Sequence, residues 1–300
     1  MKTIAIAQFN GLTYDLEKEL INRGYKITPK HYRADTIILW NELNNGSSEL
    51  IEKTQKRGKQ SILIQHGRRG VSRIYPPFNE KLLSNKVCVW GKNDKERLIK
   101  YGVPEDKIFI TGTPIFKHLK PRIKHDGINV VFCPEHWGEE VPENLMIVGQ
   151  LRKLDNVNII TKLLNIEHNP HMYDNPVISD RQTPEHLTIV ADLLSKADVV
   201  VAISESTFEL MAEILDIPVI IADIWIPKSL MGDERYKEYK HEFSPACKIV
   251  KDIKKLNEEI MFAVKHPEKL REERKQIGID DGGLDIENPV NEIIKVIENI

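Results

Sequence analysis

The chain has 300 residues, enough for two domains of about 100–200 residues each. Its 43 Lys and Arg face 45 Asp and Glu, a formal charge of −2, so the basic excess of a DNA-coating protein is absent. With 41% hydrophobic and 29% charged residues it can bury a sizeable core, and no apolar run approaches the roughly 20 residues of a membrane-spanning helix.

The opening residues MKTIAIAQFN lack the long apolar stretch and cleavage site of a signal peptide. Lys2–Ala7 reads as a buried strand and Thr13–Arg23 as a helix stopped by Gly24. Thr36–Trp40 is a second strand, Ser47–Arg57 a helix ending at Gly58, and Ser61–Gln65 a third strand. Lys86–Trp90 is a fourth, Asn93–Tyr101 a helix closed by Gly102, and Ile108–Thr111 the next strand. Strands spaced by helices of this length imply parallel βαβ units. The basic, proline-containing stretch Phe116–Gly127 has no hydrophobic period and reads as a linker.

The alternation then restarts. Asn129–Cys133 is a strand, Asn144–Lys153 a helix and Val157–Lys162 a strand. Pro184–Ser195 is a helix, and Asp198–Ile203 is the clearest buried strand of the chain. Thr207–Leu215 is a helix, Val219–Ala222 a strand, Ile253–Val264 a helix and Val290–Ile300 a final amphipathic helix. Asp280-Asp281-Gly282-Gly283 before that helix reads as a hinge. Two α/β halves joined by a linker place a cleft between them, and ligands of open α/β sheets bind outside the carboxyl ends of the strands. Cys88, Cys133 and Cys247 are far apart, without any Cys-x-x-Cys spacing, which fits buried thiols in a reduced, cytoplasmic setting.

Three strand ends carry candidate chemistry. After Asp198–Ile203 come Ser204, Ser206 and Thr207 and then at once a helix, where backbone N–H groups, hydroxyls and the helix dipole suit a phosphate or diphosphate. A plain N-cap explains the same residues equally well. After Ser61–Gln65 come His66, Gly67, Arg68, Arg69, Gly70 and Arg73. A histidine at a strand end suits a general base, and arginines offer paired donors to phosphate; a solvated basic loop is the alternative. After the strand ending at Cys133 come Pro134, Glu135, His136 and Trp137. There Glu135 or His136 can position an acceptor and Trp137 can stack on a ring, or the loop simply packs its Trp. His168-Asn169-Pro170-His171 lacks a third ligand for zinc. No Walker loop, Gly-x-Gly-x-x-Gly after the first strand, or Gly-x-Ser-x-Gly elbow occurs, which argues against ATPases, simple dehydrogenases and α/β-hydrolases.

The segments also fall in a familiar order. His66-Gly67 follows a strand, with Gln65 where a Trp is usual. Tyr101-Gly102-Val103 leads to Thr111-Gly112-Thr113-Pro114, and the second half opens on Phe132-Cys133-Pro134-Glu135-His136. Ser206 and Thr207 precede a helix that runs into Pro218-Val219. In this order the chain resembles the GT-B glycosyltransferase superfamily, in particular CDP-glycerol glycerophosphotransferases and, more distantly, UDP-GlcNAc 2-epimerases. The resemblance implies an α/β architecture of two Rossmann-like doubly wound domains facing a cleft, the C-terminal helix being a candidate to cross back. The corresponding division is an acceptor-side domain at 1–122, a nucleotide-donor domain at 123–285 and a terminal helix at 286–300.

The implied function is transfer of a sugar or polyol-phosphate group from a nucleotide-diphosphate donor to a hydroxyl acceptor. His66 is then the base, with Glu135 and His136 as further catalytic candidates. Arg68, Arg69, Thr113, Ser204, Ser206, Thr207 and Glu209 are the donor- and phosphate-binding candidates. No cofactor and no metal are expected; the nucleotide-diphosphate sugar or CDP-polyol is the substrate. One departure matters: Met211 stands where relatives carry an acidic residue for a ribose, with Glu209 and Glu213 on either side. An epimerase of UDP-sugars, drawing on Asp94, Glu135 or Glu205, is the first alternative. A phage-type enzyme acting on modified DNA bases through Arg68, Arg69, Arg73, Lys117, Lys120, Arg122 and Lys124 is the second.

Overall fold

A computed structural model describes residues 2–7, 14–40, 42, 46–68, 81–134, 142–164, 169–180, 183, 185–204, 206–224 and 243–299. The chain forms two compact units, one of Met1–Ile115 with Ile279–Ile300, the other within Phe116–Gly278.

In the first unit β1 (Thr3–Ile6), β2 (Lys26–Ile27), β3 (Thr36–Leu39), β4 (Gln60–Ile64), β5 (Lys86–Val89) and β6 (Ile108–Ile110) form one parallel sheet in the order β2-β1-β3-β4-β5-β6. The helices are α1 (Tyr14–Asn22), α2 (Ser47–Gln55) and α3 (Lys92–Lys100). The strands are continuously apolar because both faces are covered. Ala5, Ile37, Leu39, Leu63, Val87 and Val89 point to one face, where Ile51 of α2 and Leu98 of α3 pack on them. Ile4, Ile6, Ile38, Ile62, Ile64 and Cys88 point to the other, against Leu16 and Leu20 of α1. Burial there pushes the Cys88 thiol up to about 12, so it behaves as a small hydrophobe.

The second unit repeats the plan. β7 (Ile128–Cys133), α4 (Pro142–Leu151), β8 (Val157–Leu164), β9 (Pro176–Ser179), α5 (Glu185–Ser195), β10 (Val199–Ala202), α6 (Thr207–Ile214), β11 (Val219–Ala222), β12 (Cys247–Val250) and α7 (Leu256–Lys265) follow in turn. The sheet is parallel, in the order β12-β11-β10-β7-β8-β9, so the direction of winding reverses between β7 and β10. Ile147, Val148 and Leu151 of α4 and Ile260 of α7 cover one face.

The tail returns to the first unit. The chain leaves the second unit within α8 (Arg271–Asp280), and α9 (Pro289–Glu298) buries Ile293, Ile294, Val296 and Ile297 in the same cluster as α1. Four buried aliphatic side chains at about 1.5–3 kcal/mol each are a large term, and they explain why the last helix adheres to the first unit's sheet. The return therefore begins at Ile279 rather than 286, and the residues read as a hinge are packed: Asp281 is buried, and a Cβ on Gly283 would lie 2.2 Å from the Trp90 carbonyl oxygen.

The first boundary also moves, from 122/123 to 115/116. The stretch read as a linker is fastened to the second unit by Ile123 N–H donating to Ser195 O (2.8 Å), Arg122 donating to Ala197 O (3.1 Å) and Lys120 paired with Asp192 (2.5 Å). Among the described residues no helix is long and apolar enough to cross a membrane.

Candidate functional site

In an open parallel sheet the crevice lies where successive connections leave in opposite directions. In the second unit that point is between β7 and β10, whose last residues Cys133 and Ala202 are register partners. Ser204, half-buried, lies just beyond β10, and α6 begins at Thr207, also half-buried. Ser206 is the N-cap. Its Oγ accepts from Phe208 N–H (3.1 Å) and donates to Glu209 Oε2 (2.5 Å), while Ser206 N–H donates to the same oxygen (2.6 Å). This reciprocal capping box fixes the first turn of α6. Glu209 is 1% exposed, and burial raises its carboxyl above the usual range despite the Ser206 bonds and the nearby positive charge of Lys162.

Lys162 belongs to β8, one residue beyond the Phe132–Thr161 register pair, so it shares a sheet face with Cys133 and Ala202. Its Nζ lies 5.7 Å from the centroid of the Phe208 ring. Among the described residues no carboxylate lies within ion-pair distance of it, and its packing is a cation–π contact at the head of α6. Met211 is buried within α6. Of the acids that flank it, Glu209 faces Ser206 and buried Glu213 accepts from Cys247 Sγ (3.0 Å).

In the first unit His66 lies just past β4. Its Nδ1 is 2.8 Å from Trp40 O at the end of β3; a carbonyl only accepts, so Nδ1 carries a proton. Gln65 is buried beneath it. Trp90 N–H donates to Gln65 Oε1 (2.9 Å), and Gln65 Nε2 donates to Asp94 Oδ2 (2.7 Å) and Gly67 O (3.0 Å). On the far side Arg68 Nη2 meets Asp281 Oδ2 at 3.0 Å, with both side chains only 2% exposed. Asn93 Nδ2 donates to the other Asp281 oxygen (2.7 Å), and Arg97 bridges Asp94 (3.2 Å) and Asp281 (3.8 Å). Burial, helped by the charge of Asp281, raises the Asp94 carboxyl against the pull of Arg97.

No family model matches the sequence, and no curated protein matches it. The likeness is three-dimensional. The UDP-GlcNAc 2-epimerase of Neisseria meningitidis, solved with UDP-GlcNAc, superposes with a TM-score of 0.67 at 13% identity over 100% of both chains. The wall teichoic acid polymerase TagF superposes with a TM-score of 0.62 at 11% identity, over 99% of this chain and 89% of that one. Anabaena HepE, solved with UDP-glucose, gives 0.57 at 9% identity over 100% of both chains. The chain has the GT-B fold.

Within this GT-B fold the candidates read from sequence separate into groups. Ser204, Ser206, Thr207 and Glu209 come together at the β10–α6 junction, where Ser206 and Glu209 bond to each other. Arg68 turns into the protein toward Asp281, and Thr113 is buried in the turn after β6, its Oγ1 3.5 Å from Ile115 N. Glu135, His136 and Arg69 lie outside the described residues, as do Trp137, Arg73, Glu205 and His168. The basic face is partly neutralised, since Lys120 pairs with Asp192 and Arg122 with Asp198. Lys162 was not singled out in the sequence. Its signal there is the one charged residue of a strand that otherwise reads Val, Asn, Ile, Ile, Thr, Leu and Leu, a place where a charge needs a reason.

Proposed function

We propose that the protein transfers a sugar or polyol-phosphate group from a nucleotide-diphosphate donor to a hydroxyl acceptor. The observation that carries this reading is the β7–β10 switch point, where the capped head of α6 and the Lys162 ammonium come together and, among the described residues, no carboxylate lies within ion-pair distance of Lys162. Known GT-B structures solved with UDP-GlcNAc and UDP-glucose support it. Ser204, Thr207 and the dipole of α6 receive the diphosphate, Lys162 adds the cation, and Ser206 with Glu209 hold the turn that presents them. His66 takes the proton of the acceptor hydroxyl on Nε2, the ring nitrogen that Trp40 O does not engage. Glu135 and His136 are the candidates to position the acceptor. The reading asks for no metal or cofactor, because protein donors neutralise the leaving group, a nucleoside diphosphate when a sugar is transferred and a nucleoside monophosphate when a polyol-phosphate is.

Titration calorimetry with UDP, CDP and their sugar and glycerol conjugates tests the donor. His66→Ala is expected to abolish turnover while donor affinity stays within about twofold; loss of donor binding instead refutes the role given to His66. An epimerase on the same scaffold would incorporate deuterium from heavy water into a UDP-sugar without any acceptor. Asp94 serves that chemistry poorly, being buried and held by Gln65 and Arg97.

A further inference from the structure

The head of α6 already holds an anion of its own. Glu209 Oε2 accepts from Ser206 N–H (2.6 Å) and Ser206 Oγ (2.5 Å), and Phe208 N–H goes to Ser206 Oγ (3.1 Å). A glutamate is rarely removed from water, yet Glu209 is 1% exposed. Burial pushes its carboxyl up, against the pull of Ser206, its own backbone N–H and the field of Lys162. Among the described residues, Lys162 of β8 is the charge whose field reaches it. The strands β10 and β11 beneath α6 carry no ionisable side chain. On α5, Glu185 is exposed, Asp192 pairs with Lys120, and His186 Nδ1 lies 3.0 Å from Ser179 Oγ. One turn further along α6, Glu213 accepts from Cys247 Sγ.

We propose that a diphosphate settling at the head of α6 is taken up together with a proton from solvent, which Glu209 receives, so that this one side chain makes donor affinity depend on pH. This rests on the reading of the β7–β10 switch point as the diphosphate site. Two anions at one helix head repel, and the arriving phosphate also draws on the Lys162 charge that helps to keep Glu209 ionised. The carboxylate is the one to neutralise, because it is buried and has no water to stabilise its charge. A protonated carboxyl still serves the turn: one oxygen accepts from Ser206 N–H, and the new O–H donates to Ser206 Oγ. The first turn of α6 therefore keeps its cap while its negative charge disappears.

The experiment is titration calorimetry of the full chain with UDP and with CDP between about pH 5.5 and pH 9, each point in two buffers of different ionisation enthalpy. Glu209→Gln is the reference, since glutamine at this position also completes a capping box but cannot take the proton. Dividing the parent's Kd by that of Glu209→Gln removes the titration of the nucleotide's own phosphate, whose second pKa is about 6. The ratio is expected to rise with pH, approaching about tenfold per unit, the slope of one coupled proton. The parent's heat is expected to vary with buffer as uptake of up to one proton, and that of Glu209→Gln to lack this part. A ratio constant within twofold across the range, or equal proton uptake in both chains, overturns the proposal and leaves the diphosphate site standing. Absence of binding by either nucleotide at every pH overturns the site and the proposal together. Should Glu209→Gln not fold, the parent's proton uptake near pH 7.5, where the nucleotide phosphate is already ionised, decides. Turnover by His66→Ala equal to the parent would strike the role of His66 alone, because binding is read without an acceptor.

Discussion

Gly91 allows a measured test of how the tail is seated. Its φ of −132° is open to any residue, so Gly91→Ala introduces a methyl group without backbone strain. That methyl would lie 2.1 Å from Asp280 O, 2.6 Å from its carbonyl carbon and 3.0 Å from the Asp281 carbonyl carbon, all backbone atoms. Relief needs a shift of about 1 Å, and overpacking of this kind costs up to about 3 kcal/mol. Detaching the tail altogether would expose Ile293, Ile294, Val296 and Ile297, which contribute roughly 6–12 kcal/mol together at ~1.5–3 kcal/mol each. The smaller cost wins, so α9 stays docked and the strain remains local. With a urea dependence of about 2 kcal/mol per molar, the first unit's midpoint is expected to fall by roughly 1.5 M. Hydrogen exchange is expected to quicken at residues 280–283 and at the start of α3, with protection inside α9 unchanged. A midpoint equal to the parent's would refute the packing at Gly91, and lost protection throughout α9 would refute the arithmetic.

Two further outcomes follow from other sites. Lys162→Met is expected to weaken UDP or CDP binding roughly 10- to 100-fold, the value of one charged hydrogen bond, with nucleoside binding unchanged and Lys162→Arg near the parent; calorimetry checks it, and equal affinities would remove Lys162 from the site. Asp35 accepts from Thr3 N–H and Oγ1 (2.8 Å each) and pairs with Lys59 (2.5 Å), and these partners, Lys59 foremost, hold its carboxyl well below the usual range. Because the folded value is depressed, its stabilisation is complete above the ordinary value near 3.8 and is lost as pH falls through that region toward the folded value. The side chain is about one-third exposed, so the gap between parent and Asp35→Asn is expected near 1 kcal/mol at pH 7, beginning to narrow below about pH 4 and closing only well below pH 3; a gap in urea midpoints that stays constant with pH would refute it.

Most strands were legible because a strand covered on both faces must be apolar throughout, and runs such as Val199–Ala202 and Ile62–Ile64 leave no other reading. What escaped was short or polar. β2 has two residues, β9 starts at a proline, and β12 alternates Lys248 with buried neighbours. α8, REERKQIGID, shows no clear apolar period because one of its buried side chains is Arg274, satisfied by Asp216 and by the carbonyls of Pro267 and Lys269. The candidate site was legible as strand ends bearing hydroxyls or histidine. Sequence spacing carries no sign of which side chain turns inward, so Arg68 read as a ligand group and Lys162 went unnoticed. Only tertiary structure brings Asp281 to Arg68.

The returning helix also dictates an order of assembly. During synthesis the first half emerges early, yet one side of its sheet cannot be closed until residues 289–298 have left the ribosome. The later-made half owns all its strands and covering helices before that moment, so the part of the polypeptide translated first is completed last.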